Sequence, residues 1–222
     1  VSLFVAAWPG SEATGRLAAA LGPELTTRRL LRAPAVADGP SVVVRTEGAT
    51  RWHVTLAFLG EEPDADAVGA RLSASRLGPA RAVIDGASTW FAGGVLVLPV
   101  SGLDRLAGEV RRALAGALPD STRPFIGHLT LARRRGRPRA EESLAQSVSG
   151  GSPVDRPPTD QPLAGRTVVA DFVVQTVAVV RSLPGSDGRD YATLLTIPLG
   201  TGPLGTGPLG TGPVGTGPVG TG

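Results

Sequence analysis

The 222-residue chain contains no cysteine, which excludes disulfides, thiolate zinc sites, iron–sulfur clusters and a cysteine nucleophile, and demands no oxidising compartment. It contains no lysine either; all 22 basic residues are arginine. A lysyl-adenylate ligase is thereby excluded, and neither a P-loop nor the Gly-x-Ser-x-Gly elbow of a serine hydrolase occurs. No apolar run approaches the roughly 20 residues of a membrane helix. The opening VSLFVAAWPG lacks the basic start of a secretory signal and reaches Pro-Gly early. These absences lead us to expect a soluble, cytoplasmic protein with no membrane partner. Histidine is scarce as well, with two in the whole chain.

What remains suits a folded core, since 41% of the residues are hydrophobic. The formal net charge is only +3, but the all-arginine basic set raises the isoelectric point to about 10.7. Such a balance permits a nucleic-acid partner, arginine being the better bidentate ligand for phosphate. From about Leu199 a Gly-Pro pentad repeats to the end. It has too few large apolar side chains to repay the cost of ordering, and it breaks the three-residue period of collagen. We therefore expect one domain over residues 1–199 and a flexible Gly/Pro-rich tail over 200–222, whose deletion should leave turnover intact.

Within the domain, strand-like runs such as LFVAAW, HVTLAFL, GVLVLPV and HLTLAR alternate with amphipathic stretches. The hydrophobic period switches between about 2 and 3.6, an α+β pattern. Asp64 is placed to cap a helix ending near Leu77. Leu103, Leu106, Val110, Ala113, Leu114 and Ala117 form a second helical stripe, stopped by Pro119. Residues 137–165 read as a Pro-, Ser- and Gly-rich loop around one short helix.

Both histidines recur in one context, as HVTL at His53 and HLTL at His128. In an extended strand His53 and Thr55 share one face, with Val54, Leu56 and Phe58 on the other; His128 and Thr130 likewise oppose Leu129 and Leu131. On this alternation Phe58 and Trp52 are core residues. The repetition, 128 − 53 = 75 residues apart, suggests two related halves facing each other across a cleft lined by two histidines and two threonines. A lone strand histidine is most often a satisfied core residue, and threonine is simply a good strand former. Two matched motifs using the only histidines available are a different observation.

Phosphodiester cleavage without a metal suits this set. One neutral imidazole takes a proton from water, the other gives one to the leaving ribose oxygen, and the hydroxyls hold the non-bridging oxygens. A zinc site normally needs three or four protein ligands, and no carboxylate or cysteine recurs at a helpful offset from either histidine. No metal and no cofactor are expected.

On HVTL and HLTL, together with LFVAAWP, WHVTLAFLGE, RPFIGHLTLAR and VVRSLPGSDGRDYATLLTIPL, the chain resembles the 2H phosphoesterases. Within them it is most similar to the RNA 2′,3′-cyclic phosphodiesterases, long called 2′-5′ RNA ligases. The resemblance spans about residues 1–198. It implies a bilobal α+β fold, two antiparallel-sheet lobes with outer helices around a central cleft, the termini in one lobe and the middle of the chain in the other. It implies hydrolysis of RNA 3′ ends bearing 2′,3′-cyclic phosphate to a 2′-phosphate, by a monomer. His53 then matches the acid that protonates the leaving 3′ oxygen and His128 the base. Thr55 and Thr130 match phosphate-binding hydroxyls, and Arg133 matches a guanidinium that contacts the phosphate or base. Arg134, Arg135 and Arg137 add positive charge where RNA would pass or form a solvated basic loop; Tyr191 and Arg181 are further cleft candidates. Competing readings are a relative acting on another cyclic phosphate or on 2′-5′ linkages, ligation included, and an RNA-end-binding module without turnover.

Overall fold

The structure, a computed structural model, describes residues 1–32, 43–61, 64–91, 94–118, 124–135, 163–185 and 188–200. The loop and short helix expected after Arg137, and the pentads from residue 201, lie outside these. In chain order the first elements are β1 (Ser2–Ala7), α1 (Ser11–Leu21), α2 (Pro23–Thr26), β2 (Leu30–Arg32), β3 (Val43–Thr46), β4 (Val54–Glu61) and α3 (Ala65–Ala74). There follow β5 (Ala80–Ala87), β6 (Thr89–Phe91), β7 (Val95–Pro99), α4 (Asp104–Ala113), β8 (His128–Arg135), β9 (Thr167–Val174), β10 (Thr176–Gly185) and β11 (Gly188–Pro198).

The strands form two antiparallel halves of one curled sheet, as expected for a bilobal α+β fold. One half runs β11-β10-β1-β4 and holds the terminal strands. The other runs β7-β8-β3-β2, with β6 beside β7. They meet at one paired position, Val54 of β4 with Leu129 of β8. Both side chains are fully buried, and burial on that scale contributes roughly 2 kcal/mol for each. The residue after each histidine thus pins the halves together. β5 and β9 form a separate two-stranded sheet.

Local sequence explains most elements. All six residues of β1 are buried, because this apolar run lies between β10 and β4. β9 instead alternates, with Val168, Ala170, Phe172 and Val174 turned inward and Val169 exposed. In α3 the Asp64 carboxylate accepts from the backbone N–H groups of Asp66 and Ala67, satisfying donors a helix start leaves orphaned. In α4 the Leu106 and Val110 stripe is buried. That helix stops at Ala113, before Ala117 is reached, and Gly116 follows at φ 84°. The Gly200 N–H donates to Leu77 O at 2.8 Å.

Strict alternation fails in both motif strands, at the same step. Between β1 and β4 the register passes from Ala6↔Thr55 to Val5↔Ala57, leaving Leu56 as a bulge. Between β7 and β8 it passes from Val97↔Thr130 to Leu96↔Ala132, leaving Leu131 as a bulge. An extra residue flips the side-chain phase of everything beyond it. Phe58, expected in the core, is therefore 53% exposed on the cleft side. Trp52, before the bulge, is core as expected.

Candidate active site

His53 directly precedes β4 and His128 opens β8, and each ring reaches the backbone carbonyl two residues back. His53 Nδ1 lies 2.8 Å from Arg51 O, and His128 Nδ1 lies 2.8 Å from Ile126 O. A carbonyl only accepts, so each Nδ1 carries a proton and donates it. In the neutral ring Nε2 is then left as the acceptor, free for proton transfer. Both motifs share this two-residue anchor, so the tautomer of each imidazole is set by the chain itself.

His53, Thr55 and Arg133 line one cleft of about 340 Å³. Phe4, Phe58 and Tyr191 supply its aromatic wall, and Ser2, Ser182, Arg45 and Arg189 its polar one. His128 and Thr130 are not on the walls of this cleft; they reach the lobe junction from β8, where Leu129 pairs with Val54. Antiparallel pairing at that point sets His53 on the same side as Thr130, and Thr55 on the same side as His128. The structure thus gathers His53, Thr55 and Arg133 in one space, while the second motif lies on β8, which joins β4 at Val54 and Leu129.

Arg133 belongs in the cleft because of the Leu131 bulge. Without it, residue 132 would share the face of His128 and Thr130; with it, Ala132 is buried and Arg133 turns outward. Arg133 Nε donates to Glu47 Oε1 at 3.2 Å. The Glu47 carboxylate is buried and also meets Arg51 at 3.3 Å and Arg45 at 3.6 Å. One carboxylate therefore orients three guanidiniums, and the same Arg51 offers its carbonyl to His53. The Arg51 guanidinium also lies over the Tyr191 ring, 4.4 Å from its centroid.

The His53 ring sits among aromatics, stacked on Phe4 at 5.1 Å and edge-on to Tyr191 at 5.0 Å, with Trp8 at 4.9 Å. Desolvation in this cage lowers its pKa from 6.5 to about 4; the hydrogen bond to the Arg51 carbonyl and the charge of Glu47 oppose the fall, whereas the Arg133 and Arg51 guanidiniums add to it. At neutral pH His53 is therefore uncharged. At the cleft rim, hydrogen bonds from Arg28 and Arg51 hold the Asp190 carboxyl below its usual range.

Other expectations divide. Tyr191 is a cleft residue in contact with His53, while Arg181 is exposed and off that wall. Arg134 lies over the Trp90 ring at 4.2 Å; the Arg135 side chain and Arg137 fall outside the described residues. Sequence reasoning passed over Glu47, Arg45, Arg51, Phe4 and Trp8. Phe4 lies in the uniformly apolar and buried run of β1, and nothing local marks Glu47, whose three partners come together only through folding. Among the described residues no group of three or more His, Cys, Asp or Glu could hold a metal ion, and no helix is long and apolar enough to cross a membrane.

A family model described as the 2′-5′ RNA ligase superfamily matches residues 45–181, a span that contains both histidine motifs, Glu47 and Arg133. The chain belongs to the 2′-5′ RNA ligase superfamily. Solved structures are similar over nearly the whole domain. The Thermus thermophilus protein TT0787 is 25% identical with a TM-score of 0.58, covering 90% of this chain and 98% of its own. E. coli LigT complexed with 3′-AMP is 22% identical with a TM-score of 0.55, covering 89% of this chain and 97% of its own. E. coli LigT in apo form is 23% identical with a TM-score of 0.53, covering 89% and 96%. At these identities the LigT likeness is one of fold, and the superfamily fold is the one described above. Comparison with curated proteins finds no match.

Proposed function

We propose that the chain hydrolyses the terminal 2′,3′-cyclic phosphate of RNA to a 2′-phosphate by general acid and base catalysis between His53 and His128. The observation that carries this reading is the duplicated anchor: two histidines with Nδ1 tied to the backbone carbonyl two residues back, each followed two residues on by a threonine. Water attacks phosphorus and gives its proton to His128 Nε2. The P–O3′ bond breaks, and O3′ takes a proton from His53 Nε2, so one water is added and no other reactant is consumed. Thr55, Thr130 and Arg133 hold the non-bridging oxygens as charge builds on them. Membership of the superfamily and the LigT crystal with 3′-AMP support a ribonucleotide end as substrate.

The neutral state of His53 bears directly on its role. As the acid it must gain a proton when substrate binds, and an anionic phosphate beside the ring supplies the counter-charge that the aromatic cage lacks. A pKa of about 4 favours a second reading in which His53 is the base and His128 the acid. A substrate with sulfur in place of O3′ separates the two, because a thiolate leaves without being protonated. Replacing the acid by alanine then costs little on the sulfur substrate, and replacing the base costs as much as on the natural one.

The primary test incubates the protein in EDTA with a short RNA ending in 2′,3′-cyclic phosphate and resolves 2′- from 3′-phosphate products. Hydrolysis to the 2′-phosphate, lost in His53→Ala and in His128→Ala, is the expected result. Binding without product at any pH would leave an RNA-end-binding module; joining of 2′-5′ ends without hydrolysis would leave a ligase.

A further inference from the structure

Beside the His53 cleft lies a second cavity of about 230 Å³, lined by Arg28, Arg29, Leu30 and Arg45. Arg45 belongs to both walls. This follows from register. Arg133 of β8 pairs with Arg45 of β3, and Arg45 pairs with Leu30 of β2, so the three share one face of the sheet. At about 4.8 Å per strand they form a transverse row roughly 10 Å long, leading away from the catalytic motifs.

Several features make this row suited to an anionic chain. Arg45 is held in place by Glu47 and by the β10–β11 turn, where Gly188, at φ 120°, allows close approach: a Cβ there would collide with the Arg45 guanidinium. Arg28 meets the Asp190 carboxylate at 3.0 Å, whereas exposed Arg29 meets no carboxylate among the described residues. Leu30 is 52% exposed between them, an apolar surface on which a base or ribose can rest. Carboxylates are absent from the described lining of this second cavity.

On this basis, and resting on the proposed cyclic-phosphate reading, we propose that the Arg28–Arg29–Leu30–Arg45 cavity is a subsite for the phosphodiester one nucleotide upstream of the reacting end. The Arg45 guanidinium would then divide the terminal phosphate from the next one along the chain. The protein's substrate class becomes an oligoribonucleotide of at least two residues, and a cyclic mononucleotide is a poor substitute because it leaves the subsite empty.

The test compares a 2′,3′-cyclic mononucleotide with a trinucleotide carrying the same end, for wild type, Arg29→Ala and Arg29→Glu. Wild type should favour the trinucleotide in kcat/KM, and Arg29→Ala should cut that preference by about tenfold, the worth of one charge-assisted contact. In parallel, binding of a fluorescent trinucleotide ending in 3′-phosphate is titrated against salt. Arg29→Ala should lower the slope of log affinity against log salt by about 0.7, one phosphate contact on a single strand. An unchanged preference and an unchanged slope, in Arg29→Glu as well, overturn the subsite. If wild type binds the trinucleotide with the expected Arg29 dependence yet hydrolyses neither compound, the functional reading fails and the subsite stands.

Discussion

The two histidine half-sites share a backbone plan and differ in what surrounds it. In each, Nδ1 is anchored to the carbonyl two residues back, the next residue is buried at the lobe junction, and the fourth motif residue is a bulge. The fifth residue after each histidine consequently faces out, and there the halves part: Phe58 in one, Arg133 in the other. His53 is enclosed by Phe4, Trp8 and Tyr191, whereas the aromatic contact of His128 among the described residues is Phe91, at 5.5 Å, with exposed Ile126 nearby. Duplicated geometry sets two equivalently anchored imidazoles, and the aromatic cage around one of them lowers the proton affinity of His53.

The strongest way to break the comparison is to remove one half at a time. Either His53→Ala or His128→Ala should lower kcat/KM on the cyclic-phosphate RNA by about 10²- to 10⁴-fold, the usual contribution of a general acid or base. A variant retaining near-normal turnover would show that the halves are not partners.

The next largest effect concerns the cage around His53. Between pH 6.5 and about 4 the unfolded chain binds a proton at His53 that the folded chain does not. Unfolding free energy therefore rises with pH across this window, and the contribution is lost as pH falls through it. From pH 7 to pH 4, wild type should lose up to about 3 kcal/mol more stability than His53→Gln in urea titrations. Equal losses would mean that the cage does not desolvate the ring.

Replacing the unmatched cation sharpens the contrast further. Arg133→Ala should cost about ten- to a hundredfold in kcat/KM, as expected for a hydrogen bond to a charged group, while Phe58→Ala should act mainly on KM. If the two substitutions behave alike, the asymmetry at the fifth position has no chemical meaning. The smallest effect is expected at the residue behind both. Glu47→Gln removes the charge that opposes the fall in the His53 pKa, so the acid limb of the kcat/KM profile should move to lower pH. Turnover should drop by about tenfold or less, because Arg133 is 41% exposed and can be solvated once released.

Much of this molecule was legible one segment at a time. HVTL and HLTL are informative because a histidine and a hydroxyl two residues apart share a strand face whatever the remainder of the chain does. The Asp64 cap, the α4 stripe and the two-half organisation are also local or repeated properties. Phe58 and Arg133 are different: their facing depends on bulges at Leu56 and Leu131, and a bulge exists only relative to a partner strand. Glu47 became a hub because Arg133, 86 residues away, folds onto it, and Tyr191 reaches His53 from the far end of the domain. By itself, then, the sequence determined the two recurring histidine–threonine motifs and the local geometry that presents them. Only the tertiary structure decided which cation turns toward the cleft and that the His53 imidazole is desolvated, because register and burial come from segments that meet only when the chain folds.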